Sequence, residues 1–365
     1  MQASGAFPLK LLFVSTTVGP LGSGRGGGVE LTLLNMALSL QQRGHQVEVV
    51  APRGSTLPAG IAIVEIDGEL QIPAQSQSRT TPIVMPGNSV LGQMWDYART
   101  VQHQYDLIVN FAYDWLPFYL TPFFQTKIAH LVSMGSLSDG MDQVVGQVAA
   151  HYPTTIGVYT RTQAQTFPFA DRCYPLGSGL DLSLYEFCAE PDHTLCWLGR
   201  IAPEKALEDA VAAVNQTAIP LKILGQIQDH AYWEDIQHQF PHAPIQYLGF
   251  KSTQEMQQIL RRCRALLVTS RWVEAFGNVL IESLACGVPV IAYARGGPAE
   301  IVRPGESGWL VEPDSVAGLV AAIKNIDQID RRACRQQAEA EYSLAAYGQR
   351  LEQWLYRIYH TAMPG

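Results

Sequence analysis

The sequence predicts an α/β protein built from two Rossmann-like domains, each a doubly wound parallel sheet. The first observation is an apolar run at 9–15, followed by a Gly-rich loop, a helical repeat over 29–43 and a second apolar run at 47–51. Such a strand–loop–helix–strand unit begins a parallel sheet. The second observation is that the same alternation restarts after about residue 182. The third is the length of 365 residues, which suits two domains of ordinary size.

Composition excludes several classes of protein. Hydrophobic residues make up 47% and charged residues 16%, which is typical of a well-cored globular chain. The net charge is −8 and there is no long Lys/Arg run, so we expect no nucleic-acid partner. No apolar run approaches the ~18 residues of a membrane span, so we expect no integral membrane association. The six cysteines are far apart and lack a C-x-x-C pattern, which indicates reduced thiols and a cytoplasmic location.

The elements of the first half follow from apolar spacing. The helix over 29–43 carries apolar residues at helical intervals and ends at Gly44, a residue favoured after a helix C-terminus. The stretch 73–88 is rich in Ser, Gln, Thr and Pro and predicts a loop. Further short strands are predicted at 61–66, 107–111, 127–131 and 155–159.

The second half repeats this organisation. A helix is predicted over 205–214, and an amphipathic helix over 343–359 that needs a surface to cover its apolar stripe. The strands are predicted at 194–198, 221–224, 245–248, 265–269, 290–293 and 308–311. We therefore expect an N-terminal domain over 1–182, onto which a C-terminal helix at 343–365 crosses back, and a C-terminal domain over 183–342.

The most informative segment carries two glutamates, Glu274 and Glu282, eight positions apart. The step Phe276–Gly277–Asn278 between them predicts a helix start, where backbone N–H groups can bind an anion. A carboxylate, an anion pocket and a second carboxylate in a row match the sugar hydroxyls, diphosphate and ribose hydroxyls of a nucleotide-sugar. The alternative is that the first glutamate is a loop surface charge and the second a solvated helix residue.

The loop before the first helix contains Gly22-Ser23-Gly24-Arg25-Gly26-Gly27, which fits G-x-G-x-x-G. The loop is much longer than a dinucleotide-binding turn, and the next strand ends without an acid for a ribose 2′-hydroxyl. Arg53 at that position would suit only a 2′-phosphate, which leaves an NADP-dependent oxidoreductase as an alternative function. The crowded glycines up to Gly28 favour phosphate contact, the alternative being a flexible solvent loop.

Two cations follow the first strand of the second half. Arg200 leaves the carboxyl end of that strand and Lys205 comes five residues later. Ligands of open α/β sheets bind at that edge, and Arg and Lys together can neutralise a diphosphate. The alternative is an exposed surface pair with Glu204, which contributes little.

Taken together, these segments resemble the retaining glycosyltransferases of family 4, whose GT-B fold consists of two facing Rossmann-like domains with an interdomain cleft. The resemblance covers nearly the whole chain and is more specific in its second half. The matching segments are 26–30, the interdomain link 175–181, 198–205, 274–277, 282–290 and 296–302. Ser178 stands where the family usually has Asn.

The resemblance implies roles for particular residues. Glu274 would hold the donor sugar, Glu282 the ribose, and Arg200 with Lys205 the diphosphate. The expected donor-binding set is completed by Gly27, Gly28, Ala275, Phe276, Gly277 and Asn278. His130, at the end of a strand, resembles the histidine that the family places near the sugar. Its alternative is a hydrogen-bonded core histidine.

The resemblance also implies a mechanism without a protein nucleophile, a metal or a cofactor, in which positioning and charge stabilisation of the leaving diphosphate carry the catalysis. The expected donor is UDP-glucose and the expected acceptor is small and soluble, since the segments 89–103 and 138–151 lack a basic surface. The segment 18–24 and the aromatic run 111–124 are similar to cyanobacterial enzymes that glucosylate pterins such as tetrahydrobiopterin. A lipid or sugar acceptor is the alternative.

Overall fold

The chain is described by a computed structural model over residues 7–24, 26–74 and 77–362. It divides into unit 1, which comprises residues 1–179 and 344–365, and unit 2, which comprises residues 180–343. Each unit contains one wholly parallel sheet, with seven strands in unit 1 and six in unit 2. The predicted pair of parallel α/β halves is thereby confirmed.

Unit 1 has the strand order β3-β2-β1-β4-β5-β6-β7. Its strands are β1 Lys10–Val14, β2 Gln46–Pro52, β3 Ala62–Ile66, β4 Leu107–Asn110, β5 Ile128–Leu131, β6 Ile156–Val158 and β7 Cys173–Pro175. Its helices are α1 Gly28–Gln42, α2 Val90–Val101, α3 Trp115–Leu120, α4 Asp139–His151, α5 Arg161–Ala164 and α13 Leu344–His360. The central strands are buried throughout, which explains why they are continuous apolar runs.

The C-terminal helix α13 packs on α1 within unit 1. Its apolar stripe, which includes Leu351 and Trp354, is fully buried. The Trp354 indole N–H donates to the carbonyl of Thr154 at 2.7 Å, and Arg43 of the α1 C-terminus forms an ion pair with Glu352. The amphipathic helix predicted at 343–359 thus finds its partner surface on the first domain.

Unit 2 has the strand order β10-β9-β8-β11-β12-β13. Its strands are β8 Leu195–Leu198, β9 Leu221–Leu224, β10 Ile245–Gly249, β11 Ala265–Val268, β12 Val290–Tyr293 and β13 Gly308–Val311. Its helices are α6 Leu207–Thr217, α7 His230–Gln239, α8 Thr253–Leu260, α9 Asn278–Ala285, α10 Pro298–Ile301, α11 Val316–Lys324 and α12 Arg331–Glu341. The central β8 pairs with β9 and β11, so the loops after these strands share one edge of the sheet.

One predicted boundary is wrong in a way that matters for the site. The helix expected from residue 205 begins at Leu207, and Lys205 instead ends a 3-10 turn over Pro203–Lys205. Ala206 between them has φ +46°, a left-handed conformation that separates the turn from the helix. The side chain of Lys205 therefore projects from a turn rather than from the side of α6.

Candidate functional site

The loop that carries Glu274 is fastened to the turn that carries Lys205. The Arg271 N–H donates to the Glu204 carbonyl at 2.9 Å. The Thr269 hydroxyl contacts the Lys205 and Ala206 carbonyls at 3.0 and 2.8 Å. Because these bonds join the segments that follow β11 and β8, they hold two ends of neighbouring strands together.

A second loop supports the other side of this segment. The Gly297 N–H donates to the Glu274 carbonyl at 2.7 Å. A Cβ atom built on Gly297 would lie 2.1 Å from the Phe276 carbonyl oxygen, and one on Gly296 would lie 2.5 Å from the Glu274 carbonyl oxygen. Only glycines permit this approach of two backbones, so the Gly296–Gly297 pair is a structural requirement of the Glu274 loop.

The Glu274 carboxylate is a buried ion with strong partners. Glu274 is 9% exposed. Its Oε1 accepts from the Lys205 ammonium and from the Ser270 hydroxyl, the latter at 2.7 Å. Burial alone would raise the pKa of Glu274, but the charge of Lys205 and these hydrogen bonds hold the pKa below its ordinary value. Glu274 is therefore ionised at neutral pH, and the surface-charge alternative does not describe it.

The ring of Trp272 brings the two predicted cations together. The Lys205 Nζ lies 4.5 Å from the centre of the indole ring, and the Arg200 guanidinium carbon lies 5.9 Å from it. Arg200 also donates to Glu204 at 3.0 Å and to Gln228. The surface pair with Glu204 thus exists, but it is part of a cluster in which both cations contact one aromatic ring.

The helix that carries Glu282 begins where the sequence predicts. Gly277, with φ +90°, precedes α9 and has no side chain to occupy the N–H groups of its first turn. Glu282 lies four residues into the helix, about 6 Å along its axis from Asn278. The segment from Glu274 to Glu282 therefore runs from a buried carboxylate through a helix N-terminus to a second buried carboxylate.

Glu282 is 7% exposed and differs from Glu274 in its partners. Its Oε1 accepts from the Tyr185 hydroxyl at 3.0 Å. Burial raises the pKa of Glu282 to about 7, and the hydrogen bond from Tyr185 opposes this only in part. The carboxyl group is therefore poised between its two protonation states at neutral pH, and the alternative of a solvated helix residue does not describe it.

The Gly-rich loop of unit 1 binds a carboxylate of its own chain. The Glu30 side chain accepts from the N–H groups of Gly22, Gly24 and Gly26 at 2.9, 3.3 and 2.5 Å. Arg25 of the G-x-G-x-x-G pattern lies outside the described residues. Gly27 and Gly28 follow at the start of α1 and are exposed, and their role toward a donor stays a prediction.

Arg53, which an NADP site would require to bind a 2′-phosphate, is ion-paired with Asp67 at 2.6 Å on the surface of unit 1. Arg53 and the N–H groups of three glycines of the dinucleotide pattern, Gly22, Gly24 and Gly26, thus have partners within the chain.

His130 lies in the core of unit 1 and is completely buried. Its Nδ1 is 3.2 Å from the Asn110 amide nitrogen, its Nε2 is 3.0 Å from the Thr121 hydroxyl, and its ring stacks on Phe118 with centres 4.3 Å apart. Burial lowers the pKa of His130 to about 3. These contacts favour the core-histidine alternative over a place beside the sugar.

Unit 2 thus brings Arg200, Lys205 and Glu274 together around Trp272, and Glu274 lies four residues before the start of α9. Sequence reasoning missed the supporting residues, which are Tyr185, Ser270, Trp272 and the Gly296–Gly297 pair. Trp272 lies inside the segment singled out for its glutamates, so an aromatic residue next to a cation-rich turn was the available signal. Tyr185 gave no such signal, since it is 97 positions from its partner.

The described residues contain no group of three or more His, Cys, Asp or Glu side chains arranged to hold a metal ion. Within the same residues, no helix combines the length and apolar character needed to cross a membrane. All six cysteines lie in the described part of the chain and are free thiols.

The second half of the chain is similar to known glycosyltransferases. Residues 188–341 match the family model described as glycosyl transferases group 1. Glycogen synthase of Mycobacterium tuberculosis is 29% identical over 182 residues, which is 45% of this chain and 44% of that protein. The chain thus matches less than half of the length of this curated relative.

Solved structures match both units. HepE of Anabaena, in a complex with UDP and glucose, has a TM-score of 0.75 and 18% identity, covering 96% of this chain and 100% of that one. Sucrose-phosphate synthase of Thermosynechococcus elongatus has a TM-score of 0.75 and 19% identity, covering 96% and 98%. These likenesses show the GT-B fold, and residues 188–341 match the model of the glycosyl transferases group 1 family.

Proposed function

We propose that this protein is a retaining glycosyltransferase that moves a hexose from a nucleotide-sugar to a small acceptor. The observation that carries the proposal is the cluster in unit 2, where Arg200 and Lys205 share the ring of Trp272 beside the buried Glu274. Two cations at the carboxyl edge of a parallel sheet suit a diphosphate. The family match of the same residues supports this assignment.

Each acidic residue has a distinct part in the proposed site. The ionised Glu274 accepts from hydroxyl groups of the donor sugar, and Glu282 accepts from a ribose hydroxyl. The N-terminus of α9 between them contributes backbone N–H groups and a positive dipole end to the phosphates. Ala275, Phe276, Gly277 and Asn278 provide that backbone.

The Lys205–Glu274 ion pair has a consequence for donor binding. In the structure the ammonium that would bind the diphosphate is bound to the carboxylate that would bind the sugar. The pair neutralises two buried charges while no donor is present. When a donor binds, its phosphates replace Glu274 as the partner of Lys205, and its sugar hydroxyls replace Lys205 as the partner of Glu274. Neither charge is then left without a partner.

The proposed reaction needs no protein nucleophile. The acceptor hydroxyl attacks the anomeric carbon from the face that the leaving group departs, and the bond from that carbon to the phosphate oxygen breaks. The acceptor proton passes to the departing phosphate, and the configuration is retained. Arg200 and Lys205 stabilise the charge that develops on the diphosphate, which contributes about 3 kcal/mol for a well-placed contact.

UDP-glucose is the proposed donor, since HepE of the same fold was solved with UDP and glucose. For the acceptor we propose a small molecule with a flat ring, such as a reduced pterin. The support is the similarity of the segments 18–24 and 111–124 to pterin-glucosylating enzymes. In unit 1, Trp115 and Tyr119 stack with ring centres 4.4 Å apart, and Tyr119 is 47% exposed.

A donor screen tests the proposal. Released nucleotide is measured with UDP-glucose, UDP-galactose, UDP-N-acetylglucosamine, GDP-mannose and ADP-glucose, each with a panel of pterins, small phenols and sugars. The expected result is release from UDP-glucose that depends on an acceptor and persists in EDTA, with an α-linked product by NMR. Thermal shift provides the second arm, in which UDP raises the melting temperature and NADPH does not. Stabilisation by NADPH without release from any nucleotide-sugar would contradict the proposal and favour the oxidoreductase.

A further inference from the structure

A buried tyrosine completes the surroundings of Glu282. The Tyr185 hydroxyl donates to Glu282 Oε1 at 3.0 Å, and Tyr185 is only 3% exposed. Within the described part of the chain, the Glu282 carboxylate accepts this one side-chain hydrogen bond, through Oε1, and Glu282 keeps 7% of its surface exposed. One carboxylate oxygen is therefore held from inside the protein, while the other is available to a ligand.

The segment that carries Tyr185 is tied to the helix that carries Glu282. The Arg335 guanidinium of α12 donates to the Tyr185 carbonyl at 2.8 Å and to the Ala285 carbonyl at the end of α9 at 2.6 Å. The next residue, Glu186, donates its N–H to the Gln257 side chain at 3.3 Å. Because one guanidinium binds both segments, the phenol and the carboxylate keep a fixed relation to each other.

The groups around Glu282 determine how its proton is held. Burial raises the pKa of Glu282, and the hydrogen bond from Tyr185 opposes this rise. Burial and the neighbouring Glu282 charge in turn raise the pKa of Tyr185, so the phenol stays protonated and acts as a donor. The Cys286 thiol, directly after α9, lies near the Glu282 carboxyl and near Arg335, Arg331 and Arg261, and the charge of Asp181 adds to the raised pKa of Tyr185.

We propose that Tyr185 is a positioning residue for the nucleotide, which holds Glu282 through Oε1 so that Oε2 meets a ribose hydroxyl. The inference rests on the function proposed above and deepens it. A neutral carboxyl group is a weaker acceptor than a carboxylate. A group that keeps Glu282 ionised and aligned therefore strengthens nucleotide binding without touching the nucleotide.

Tyr185→Phe tests this inference with little change in packing, since it removes only the hydroxyl. We expect the Kd for UDP at pH 7 to rise about fivefold, the size of one lost hydrogen bond. We also expect the pH below which UDP affinity falls to move upward by roughly half a unit or more, because the carboxylate loses its donor. A role confined to packing would leave the pH profile unchanged.

The experiment is a calorimetric titration of the full chain with UDP from pH 6 to 8.5, with GDP and ADP as further probes. Tyr105→Phe is the matched control, since Tyr105 is another buried tyrosine, whose hydroxyl donates to the Glu48 carboxylate at 2.7 Å in unit 1. The Glu282→Gln variant lacks the titrating carboxyl group. The pH dependence of its UDP affinity therefore reports the titration of UDP itself, whose terminal phosphate titrates near pH ~6. In the Glu282→Gln background, Tyr185→Phe is expected to have no further effect on the pH profile.

The outcomes separate the two proposals. If none of the three nucleotides binds the parent protein, the proposed function fails and this inference fails with it. If UDP binds the parent and Tyr185→Phe keeps the parent's affinity and pH profile, only the role of Tyr185 is overturned. An equal pH shift in the Glu282→Gln background would also overturn it, because the effect would not pass through Glu282.

Discussion

Glu274 and Glu282 are the same residue type, lie eight positions apart and are almost equally buried, at 9% and 7% exposure. Their pKa values nevertheless move in opposite directions, with that of Glu274 lowered and that of Glu282 raised to about 7. The difference lies in their partners. Glu274 binds an ammonium and a hydroxyl, whereas Glu282 binds one phenol.

The comparison teaches that burial alone does not set the charge of a carboxyl group. Desolvation disfavours the charged form at both positions, and only a buried cation reverses it. The Glu274 end of the segment thus carries a charge that is balanced within the protein. The Glu282 end carries a charge that becomes fully favourable only when a ligand supplies further donors.

The largest expected effect is on turnover and concerns Glu274. We expect Glu274→Gln to lower kcat about a hundredfold or more, since the sugar loses a charged acceptor where the reaction takes place. The Kd for UDP should change less than about threefold, because UDP lacks the sugar and Lys205 is released for the phosphates. Steady-state kinetics with released-nucleotide detection, paired with calorimetry, measures both quantities.

Glu255→Gln is the matched control for this change, since Glu255 is an exposed glutamate of unit 2 whose carboxylate binds Ser252 at the start of α8. It should leave kcat and the Kd for UDP at parental values. A Glu274→Gln variant that turned over at the parental rate would remove the functional distinction between the two glutamates.

The second expected effect is on the pH dependence of stability, and it follows from the raised pKa of Glu282. The folded protein holds this proton up to about pH 7, whereas the unfolded chain releases it near the ordinary glutamate pKa of 4.5. Between these values the folded state binds more protons, so stability falls as pH rises from about 4.5 to about 7. Over that window Glu282 costs the folded protein on the order of 3 kcal/mol.

Glu282→Gln removes this proton-linked cost. Urea unfolding at pH 5 and pH 8 should show that the variant loses less stability between the two values than the parent does. Since Glu274 has a lowered pKa, its contribution runs the other way and is lost on acidification. An identical pH dependence in the parent and in Glu282→Gln would show that Glu282 is not protonated in the folded protein at pH 5.

A smaller effect is expected at Trp272, which lies on the Glu274 side of the comparison. Trp272→Leu removes the ring shared by Arg200 and Lys205, and one cation–π contact contributes about 1 kcal/mol. We expect the KM for the donor to rise about fivefold with a smaller change in kcat. Trp233→Leu on α7, where the ring contacts Tyr247, is the control and should leave the KM unchanged. A parental KM in Trp272→Leu would show that the ring shared by the two cations does not contribute to donor binding.

The smallest effect concerns Glu30, a carboxylate bound by backbone N–H groups instead of a cation. Glu30→Gln should lower the free energy of unfolding by about 1 kcal/mol, since a charged acceptor of three N–H groups becomes a neutral one. Urea unfolding measures this, and Glu69→Gln, an exposed glutamate of the same unit, is the control. No change in Glu30→Gln would mean that the loop keeps its shape without the carboxylate.

Much of the fold follows from local sequence. The strands β9, β12 and β13 begin and end at the predicted residues, because buried parallel strands are short apolar runs between turn residues. The start of α6 was missed because Pro203 and the left-handed Ala206 place a separate turn before it. The strand β7 was not predicted, since three residues, Cys173–Pro175, give too little pattern.

The sequence predicts which residues form the candidate site but not their electrostatics. The sequence shows that Arg200, Lys205, Glu274 and Glu282 follow strands of one sheet. It does not show that Lys205 is paired with Glu274, 69 positions away, or that Glu282 meets Tyr185 instead of a cation. Nor does it show that both ring nitrogens of His130 have partners in the core, because the partner residues, Asn110 and Thr121, belong to separate elements.

A crystal structure of the protein with UDP tests the central claim most directly. The account predicts a diphosphate within hydrogen-bonding distance of Arg200 and Lys205, a ribose hydroxyl on Glu282, and a Lys205 ammonium that has left Glu274. UDP bound elsewhere, with the Lys205–Glu274 pair intact and Glu282 in contact only with Tyr185, would contradict it.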